Sequence, residues 1–185
     1  MTRGLRLIRD GVTAFALLAL VALIAAKLND ADKIEHAGAF RAADGDSLTL
    51  GTDRLRLEGI DAPELHQSCE RDGMTWACGR VAREALQGMV LASGTLCEGS
   101  QRDRYDRLLV VCRSGTGEDI NAAMVRRGMA ISYGGYGKEE AEARAAKAGL
   151  WAGTFERPRD VRDNARAGSG FDRTLRFLRQ VAGWE

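Results

Sequence analysis

Acidic and basic side chains recur at two turns between residues 44 and 64. The sequence DGDS at residues 44–47 places two carboxylates at a tight turn that opens a strand-like run. The sequence RLEGIDAPE at residues 56–64 ends a second run in an acid, a proline-stiffened turn and another acid. Strand ends and stiff turns can hold several oxygen atoms around one point, so the two turns predict a site for a divalent metal.

The residue types at these turns suggest separate roles. Asp46 and Asp61 are hard oxygen donors suited to calcium or magnesium, and the backbone carbonyl of Ala62 could complete the set. Glu64 could join them, or it could hold a water molecule as a general base. Arg56 carries a planar positive fork that suits a phosphate. Taken singly, each residue is an ordinary turn acid or strand arginine, and only the constellation favours chemistry.

A second cluster has the sequence RDRYDR at residues 102–107. Three arginines around Tyr105 on a loop could grip phosphates and stack a nucleic-acid base. The alternative is a solvated hairpin tip, which is the interpretation we prefer for Arg102.

Four cysteines, an even number, predict two disulfides in an oxidising compartment. Three pairings are possible. Cys69 with Cys78 would close a short loop, and Cys97 with Cys112 would join two segments that resemble neighbouring antiparallel strands. A zinc site is the rival interpretation, but no CxxC pair or nearby histidine supports it.

The N-terminal segment is typical of exported proteins. Three arginines precede an uncharged, mainly apolar run at residues 11–26. We expect residues 1–27 to be a signal peptide or a signal anchor, and the basic flank predicts that the following domain lies outside the cytoplasm. A buried core helix is the alternative. The chain's formal net charge of +1 gives no global attraction to nucleic acid, so binding must rely on local clusters or a metal.

The hydropathy pattern predicts an α+β fold. Alternating residues at 47–50 and 55–57 indicate half-buried strands, as do the runs at 94–98, 108–112 and 129–132. Apolar residues at helical spacing predict helices over 75–92, 120–127 and 138–148. Short strands with a single long crossing helix fit a small Greek-key barrel of the OB kind with helices packed on it.

This pattern divides the chain into four segments. Residues 1–27 form the export segment, 28–38 a linker, 39–160 the main domain and 161–185 a basic amphipathic tail. In the tail, Phe171, Leu175, Leu178 and Val181 recur at helical spacing opposite arginines. The tail is predicted either to dock on the domain as a terminal helix or to contact a membrane or partner.

Five sequence boxes resemble the staphylococcal nuclease family in order and approximate spacing. They are DGDS, RLEGIDAPE, DRYDR, NAAMVRRGMA and AEARAAKAGLW, between about residues 39 and 155. The resemblance implies a five-stranded OB barrel with three packed helices, here preceded by an N-terminal hydrophobic helix. It also implies one bound calcium ion and hydrolysis of phosphodiester bonds.

The family's functional residues transfer to matching positions of this sequence. The resemblance makes Asp46 and Asp61 the calcium carboxylates, with Ala62 offering its carbonyl. Glu64 corresponds to the residue that activates water, and Arg56 and Arg107 correspond to the arginines on the scissile phosphate. The implied substrate-binding residues are Arg104, Tyr105, Tyr133 and Tyr136.

The sequence thus predicts a monomeric, calcium-dependent nuclease acting on single-stranded DNA or RNA. It is expected in the periplasm or secreted, or anchored in the inner membrane facing the periplasm. The alternative is a weakly active or repurposed domain that assists envelope or exopolysaccharide assembly. Asp106 departs from the family by replacing the glycine of the DRYGR box, which leaves its effect on the reaction open.

Overall fold

The N-terminal unit of the computed structural model is a single helix. The structure describes residues 3–31, 34–91 and 94–167, and the chain divides into one unit ending at Glu35 and a second beginning at His36. In the first unit, α1 spans Arg3–Ala31. The stretch Ile8–Lys27 within it is apolar over 20 residues and unburied, which at 1.5 Å per residue is about 30 Å, the thickness of a bilayer core. A cleaved signal peptide and an uncleaved signal anchor both stay predictions for this segment.

The second unit is built on a six-stranded sheet that curls into a half-barrel. Its strand order is β1-β8-β9-β4-β3-β2, and two-stranded pairs β10-β5 and β6-β7 flank it. The strands are β1 Ile34–Ala37, β2 Arg41–Ala42, β3 Ser47–Leu50, β4 Asp53–Leu57, β5 Ile60–Asp61, β6 Cys69–Arg71, β7 Met74–Trp76, β8 Leu96–Gly99, β9 Leu108–Arg113 and β10 Ile131–Ser132.

The helices follow the predicted order. They are α2 Cys78–Val90, α3 Ile120–Arg126, α4 Gly137–Ala145, a 3-10 turn at Gly149–Ala152, and a last helix, α5, at residues 158–167. The α+β, OB-like class predicted from the sequence is confirmed. The main sheet has six strands instead of the five expected. Residues 34–37, placed in the linker, and residues 41–42 add β1 and β2, whereas the run predicted at 129–132 forms β10, which pairs with β5 outside the main sheet.

The predicted helix from residue 75 begins later, at Cys78, because the preceding residues form a hairpin. Cys69 pairs with Trp76 across β6 and β7. The two-residue turn between the strands is Asp72-Gly73, and both residues have positive φ, 52° and 72°. An Asp-Gly pair flanked by strands is a strong signal for this turn type, so the hairpin could have been read from the sequence.

The two predicted disulfides are both present. Cys69 bonds to Cys78, which joins β6 to the first residue of α2. Cys97 bonds to Cys112, and these two residues face each other across the antiparallel pair β8 and β9. Both bridges are buried among apolar side chains, so each holds together elements that pack on the core.

The core lies between the curled sheet and the helices α2 and α3. Its fully buried large side chains include Leu48, Leu55, Leu57, Ile60, Leu86, Val110 and Met124. One polar residue, Asn121 of α3, is also fully buried. Its side chain accepts from the backbone of Cys112 at 3.1 Å and donates to the carbonyls of Glu58 and Val110 at 3.0 and 3.1 Å. Asn121 therefore ties α3 to the strand ends that lead into the candidate site.

Candidate functional site

Arg56 joins the two acids predicted to bind metal. Its Nη1 donates to Asp46 Oδ1 at 2.8 Å and its Nη2 donates to Asp61 Oδ1 at 2.9 Å. Both carboxylates are almost completely buried, at 3% and 5% exposure. Ser47 donates to Asp46 Oδ1 at 2.9 Å, and the backbone N–H of Ala62 donates to Asp46 Oδ2 at 3.0 Å. The structure therefore brings Asp46, Arg56, Asp61 and Ala62 together.

This cluster depends on how the turn at residues 44–47 meets the end of β4. Asp44 Oδ1 accepts from the backbone of Asp46 at 3.0 Å, which tightens the turn. The carbonyl of Asp46 accepts from the N–H of Leu57 at 2.8 Å, and Ser47 pairs with Arg56 in the register of β3 and β4. A Cβ on Gly45 would come within 2.8 Å of the side chains of Ala62 and Ala82, so only glycine fits here.

Burial dominates the electrostatics of Asp46. Together with the charges of Asp44 and Asp61, burial raises the pKa of this carboxyl to about 7, against the opposing effects of Arg56 and of the hydrogen bond from Ala62. Desolvation of the charged form is thus the main cause of the raised pKa, and the positive charge of Arg56 does not cancel it.

Glu64 lies on the loop after β5 and is more open than the two aspartates. Its side chain is 39% exposed, against 4% for Asp46 and 7% for Asp61. Gln67 holds the loop, because its Oε1 accepts from the N–H of Glu64 at 3.1 Å and its Nε2 donates to the carbonyl of Glu156 at 2.7 Å. A base that must reach a water molecule needs such exposure, whereas a metal ligand does not.

Arg162 of α5 belongs to the site, although the sequence analysis placed it in the tail. Its Nη2 donates to Asp61 Oδ1 at 2.9 Å and Oδ2 at 3.0 Å, and its Nη1 donates to Glu64 Oε1 at 2.7 Å. Burial lowers the pKa of Arg162, but the contacts with Glu64 and Asp61 outweigh it and raise the pKa overall. No sequence box contains Arg162, and its contacts lie about 100 residues away, so no local signal pointed to it.

The second predicted cluster is organised by Asp103. Its Oδ2 accepts from Arg107 Nε at 2.9 Å and Nη2 at 2.7 Å, and its Oδ1 accepts from the backbone of Tyr105 and Arg107. Burial raises the pKa of Asp103, but the hydrogen bonds from Arg107 and Tyr105 bring it below its ordinary value. In the described part of the chain, Arg107 pairs with Asp103 alone. Contact of Arg107 with a scissile phosphate stays a prediction.

Tyr105 is surrounded by arginines. The guanidinium carbons of Arg104, Arg107 and Arg166 lie 4.8, 5.5 and 6.0 Å from its ring centre. Arg166 of α5 also donates to the Tyr105 hydroxyl at 2.9 Å. Tyr105 is 43% exposed, so a partly exposed ring lies among concentrated positive charge, two features that favour stacking of a nucleic-acid base.

Asp106 occupies the turn of this cluster with a left-handed backbone, at φ 61°. Glycine adopts this conformation without steric cost, and aspartate tolerates it better than most residues. The side chain of Asp106 is 87% exposed and lies 3.5 Å from Arg102. Asp106, in place of the glycine of the DRYGR box, therefore preserves the turn.

The two other predicted substrate tyrosines follow β10, which pairs with β5, and the N–H of Tyr133 donates to the carbonyl of Gly59 at 2.7 Å. Tyr136 packs on the core and donates to Asp119 Oδ2 at 3.4 Å. Burial raises the pKa of Tyr136, and the charge of Asp119 raises it further. Tyr133 is 70% exposed. Their contact with substrate stays a prediction.

The acidic cluster fits a hard cation by its donor chemistry. It offers two buried carboxylates beside the main chain of Ala62, with Arg56 on both of them and Arg162 on Asp61. Across residues 3–31, 34–91 and 94–167, no three acidic, histidine or cysteine side chains are grouped so that they alone could hold a metal. A cation here would thus need the Ala62 carbonyl and water besides Asp46 and Asp61.

Comparison with known proteins adds an independent observation. The family described as Staphylococcal nuclease homologue matches residues 54–153. This range contains Arg56, Asp61, Glu64 and the cluster around Tyr105. It excludes Asp46 and the whole of α5.

Three curated relatives illustrate the similarity. The micrococcal nuclease of Shigella flexneri is 34% identical over 132 residues, which cover 60% of this chain and 71% of that protein. Protein ParB of Escherichia coli is 36% identical over 132 residues, covering 60% and 70%. The succinoglycan biosynthesis protein ExoI of Rhizobium meliloti (strain 1021) is 33% identical over 115 residues, covering 58% of this chain and 60% of that protein. The chain therefore spans less than two thirds of ExoI.

Proposed function

Because the chain belongs to the staphylococcal nuclease family, we propose that it is a calcium-dependent nuclease that hydrolyses phosphodiester bonds of single-stranded DNA or RNA. One observation carries the proposal. Two buried carboxylates, Asp46 and Asp61, share Arg56, while the more exposed Glu64 lies within reach of the same Arg162 guanidinium as Asp61. This arrangement separates ligand-type acids from an acid that water can reach.

The side chains divide the reaction between them. Asp46, Asp61 and the carbonyl of Ala62 would hold the calcium ion, which when bound supplies a positive charge that polarises a phosphoryl oxygen. Glu64 accepts the proton of the attacking water. Arg56 offsets negative charge that builds on the phosphoryl oxygens, since its planar fork matches their geometry. Arg107 is proposed to act with it once the substrate is bound.

The Tyr105 cluster is proposed to bind the strand beside the cleaved bond. Arg104 and Arg107 would contact phosphates, and the exposed face of Tyr105 would stack a base. These contacts are made to phosphates and to the flat face of a base. They involve neither a duplex groove nor a base edge, so they suit single strands of DNA or RNA.

We propose that the reaction takes place outside the cytoplasm. The apolar α1 is long enough to cross a bilayer, and two disulfides are typical of an oxidising compartment. Both features apply to a cleaved signal and to an anchor, and mass spectrometry of the mature N-terminus distinguishes the two.

The cleavage test compares the full-length protein in detergent with Glu64→Gln, using a labelled single-stranded oligonucleotide. Calcium should support cleavage to products with 3′-phosphates, and excess chelator should stop it. We expect Glu64→Gln to lower the rate by about 10²- to 10⁴-fold, the usual contribution of a general base. Glu84→Gln is the matched control, because Glu84 is an exposed acid on α2. Equal rates for the Glu64 variant and the control would contradict the proposal.

A second candidate function is suggested by one relative's name. ExoI is described as a succinoglycan biosynthesis protein, so the domain could assist exopolysaccharide assembly without cleaving nucleic acid. The same experiment separates the two candidates, because an accessory domain would show no calcium-dependent cleavage while remaining folded.

A further inference from the structure

Helix α5 covers the candidate site with two arginines from outside the region that matches the family. Arg162 contacts both oxygens of Asp61 and one oxygen of Glu64. Arg166 contacts the hydroxyl of Tyr105. Residues four apart lie on the same helix face, so one face of α5 reaches both the acidic cluster and the stacking tyrosine.

Two arginines of α5 differ in the exposed fraction of their side chains. The side chain of Arg162 is 27% exposed, whereas that of Arg159 is 72% exposed and contacts only Asp163, at 3.8 Å, among the described residues. Arg159 therefore supplies an exposed control residue within the same helix.

The contacts of Arg162 use the oxygen atoms that a cation would need. Both oxygens of Asp61 already accept hydrogen bonds from one guanidinium nitrogen at 2.9 and 3.0 Å. A divalent cation on the same oxygens would lie next to this fixed positive charge, and like charges at such a distance repel strongly. Oε1 of Glu64 likewise accepts from Arg162 Nη1, at 2.7 Å, so this oxygen is already paired with a guanidinium.

We propose that Arg162 and Arg166 are further residues of the site that act as internal ligands. Arg162 occupies both oxygens of Asp61 and Oε1 of Glu64, and Arg166 occupies the Tyr105 hydroxyl. Binding of a divalent cation and of a single strand then requires α5 to leave the site. This inference rests on the proposed function of Asp61, Glu64 and Tyr105, and it adds a competitor that the family match does not contain.

The competition has a thermodynamic consequence. A cation that must displace Arg162 binds more weakly than it would bind to an open Asp61, and by linkage its binding must weaken the docking of α5 by the same factor. The displaced contacts are charged hydrogen bonds at a partly exposed position, so the expected coupling is on the order of tenfold.

The test titrates calcium alone into the full-length protein in detergent by calorimetry. We expect Arg162→Gln to bind calcium about tenfold more tightly than the wild type. Arg162→Lys, which keeps the charge but not the planar fork, should lie between them. Arg159→Gln should stay within about twofold of the wild type, because its side chain is exposed.

A second readout follows α5 directly by amide hydrogen exchange over residues 158–167. In the wild type, saturating calcium should speed exchange there, and in Arg162→Gln exchange should be fast without calcium. Calcium affinity in Arg162→Gln equal to or weaker than in the wild type would overturn the inference, as would unchanged exchange at saturating calcium.

The inference and the proposed function fail in different ways. If cleavage depends on Glu64 but Arg162→Gln binds calcium as the wild type does, the competition by Arg162 is contradicted and the proposed nuclease activity stands. Absence of both cleavage and calcium binding, in the wild type and in the variants, would overturn the two together.

Discussion

At the scale of single residues, the two arginines predicted to bind phosphate differ in what holds them. Arg56 bridges two buried acids, whereas Arg107 is held by the single, less buried Asp103. Arg56 therefore stabilises the folded acidic cluster in addition to its proposed part in the reaction. The proposed contact of Arg107 with substrate requires its ion pair with Asp103 to adjust.

Replacing Arg56 by alanine should destabilise the fold as well as abolish cleavage. Removing Arg56 leaves the buried Asp46 without its cationic partner, and we expect a loss of about 3 kcal/mol. The measurement is urea unfolding followed by tryptophan fluorescence. Arg54→Ala is the control, because Arg54 lies exposed on the same strand. Equal stability of the two variants would contradict the bridging role.

The lowered pKa of Asp103 predicts how the stability of the protein depends on pH. Its pKa in the folded protein is below its ordinary value of 3.8, so the unfolded chain binds more protons, and its contribution to stability is present above pH 3.8 and lost as pH falls below it. The Asp103→Asn variant should be less stable than the wild type by about 1 kcal/mol near neutrality. Unfolding curves between pH 6 and 3 should show the difference shrinking only towards the acid end, and a constant difference would refute this.

At the scale of elements, α2 positions the loop that carries Glu64. Gly79, in the first turn of α2, lies so close to the carbonyl of Glu64 that a Cβ there would overlap it. The backbone N–H of Gly79 also donates to Gln67 at 3.2 Å, and the Cys69–Cys78 bridge holds the adjacent residue. Helix, disulfide and glutamine together fix the Glu64 loop.

The Gly79→Ala substitution should therefore move Glu64. We expect destabilisation of about 2 kcal/mol, typical of overpacking at a site that cannot relax, together with a lower cleavage rate. Gly88→Ala in the same helix is the matched control: nothing lies within 4 Å of its added Cβ. That control should gain about 0.5–1 kcal/mol from helix propensity. Thermal unfolding and the cleavage rate check both, and an undisturbed Gly79→Ala variant would count against the close contact.

The elements also show what the sequence could predict. Asp46, Arg56, Asp61 and Glu64 fall within one short stretch, so turns and strand ends were enough to suggest their grouping, and alternation located β3 within its observed bounds. The β6–β7 hairpin was missed because a helical pattern was extended over residue 75. The place of Arg162 in the site could not be predicted from the sequence, since its contacts depend on the path of the chain over about 100 residues and not on any periodicity.

At the scale of the whole molecule, two disulfides support different parts of the second unit. Cys97–Cys112 crosses β8 and β9 inside the main core, whereas Cys69–Cys78 belongs to the smaller cluster with Leu150. The first bridge therefore supports the barrel and the second supports the loop of the candidate site.

Removing each bridge should separate stability from activity. Replacing Cys97 and Cys112 by alanine should cost about 3 kcal/mol, as expected for a closed loop of roughly 15 residues. Replacing Cys69 and Cys78 should cost less stability but lower the cleavage rate more, because it loosens the Glu64 loop. Calorimetric unfolding and cleavage assays of both double variants provide the comparison, and the reverse order of effects would be inconsistent with this division.

The long sequence separation of the Arg162 contacts also dictates an order of assembly. Asp46, Arg56 and Asp61 meet through separations of 5 and 10 residues, whereas Arg162 meets Asp61 and Glu64 across 101 and 98. Closing a longer loop costs more chain entropy, and contacts distant in sequence form late in folding. The acidic cluster can thus form while α5 is still being synthesised.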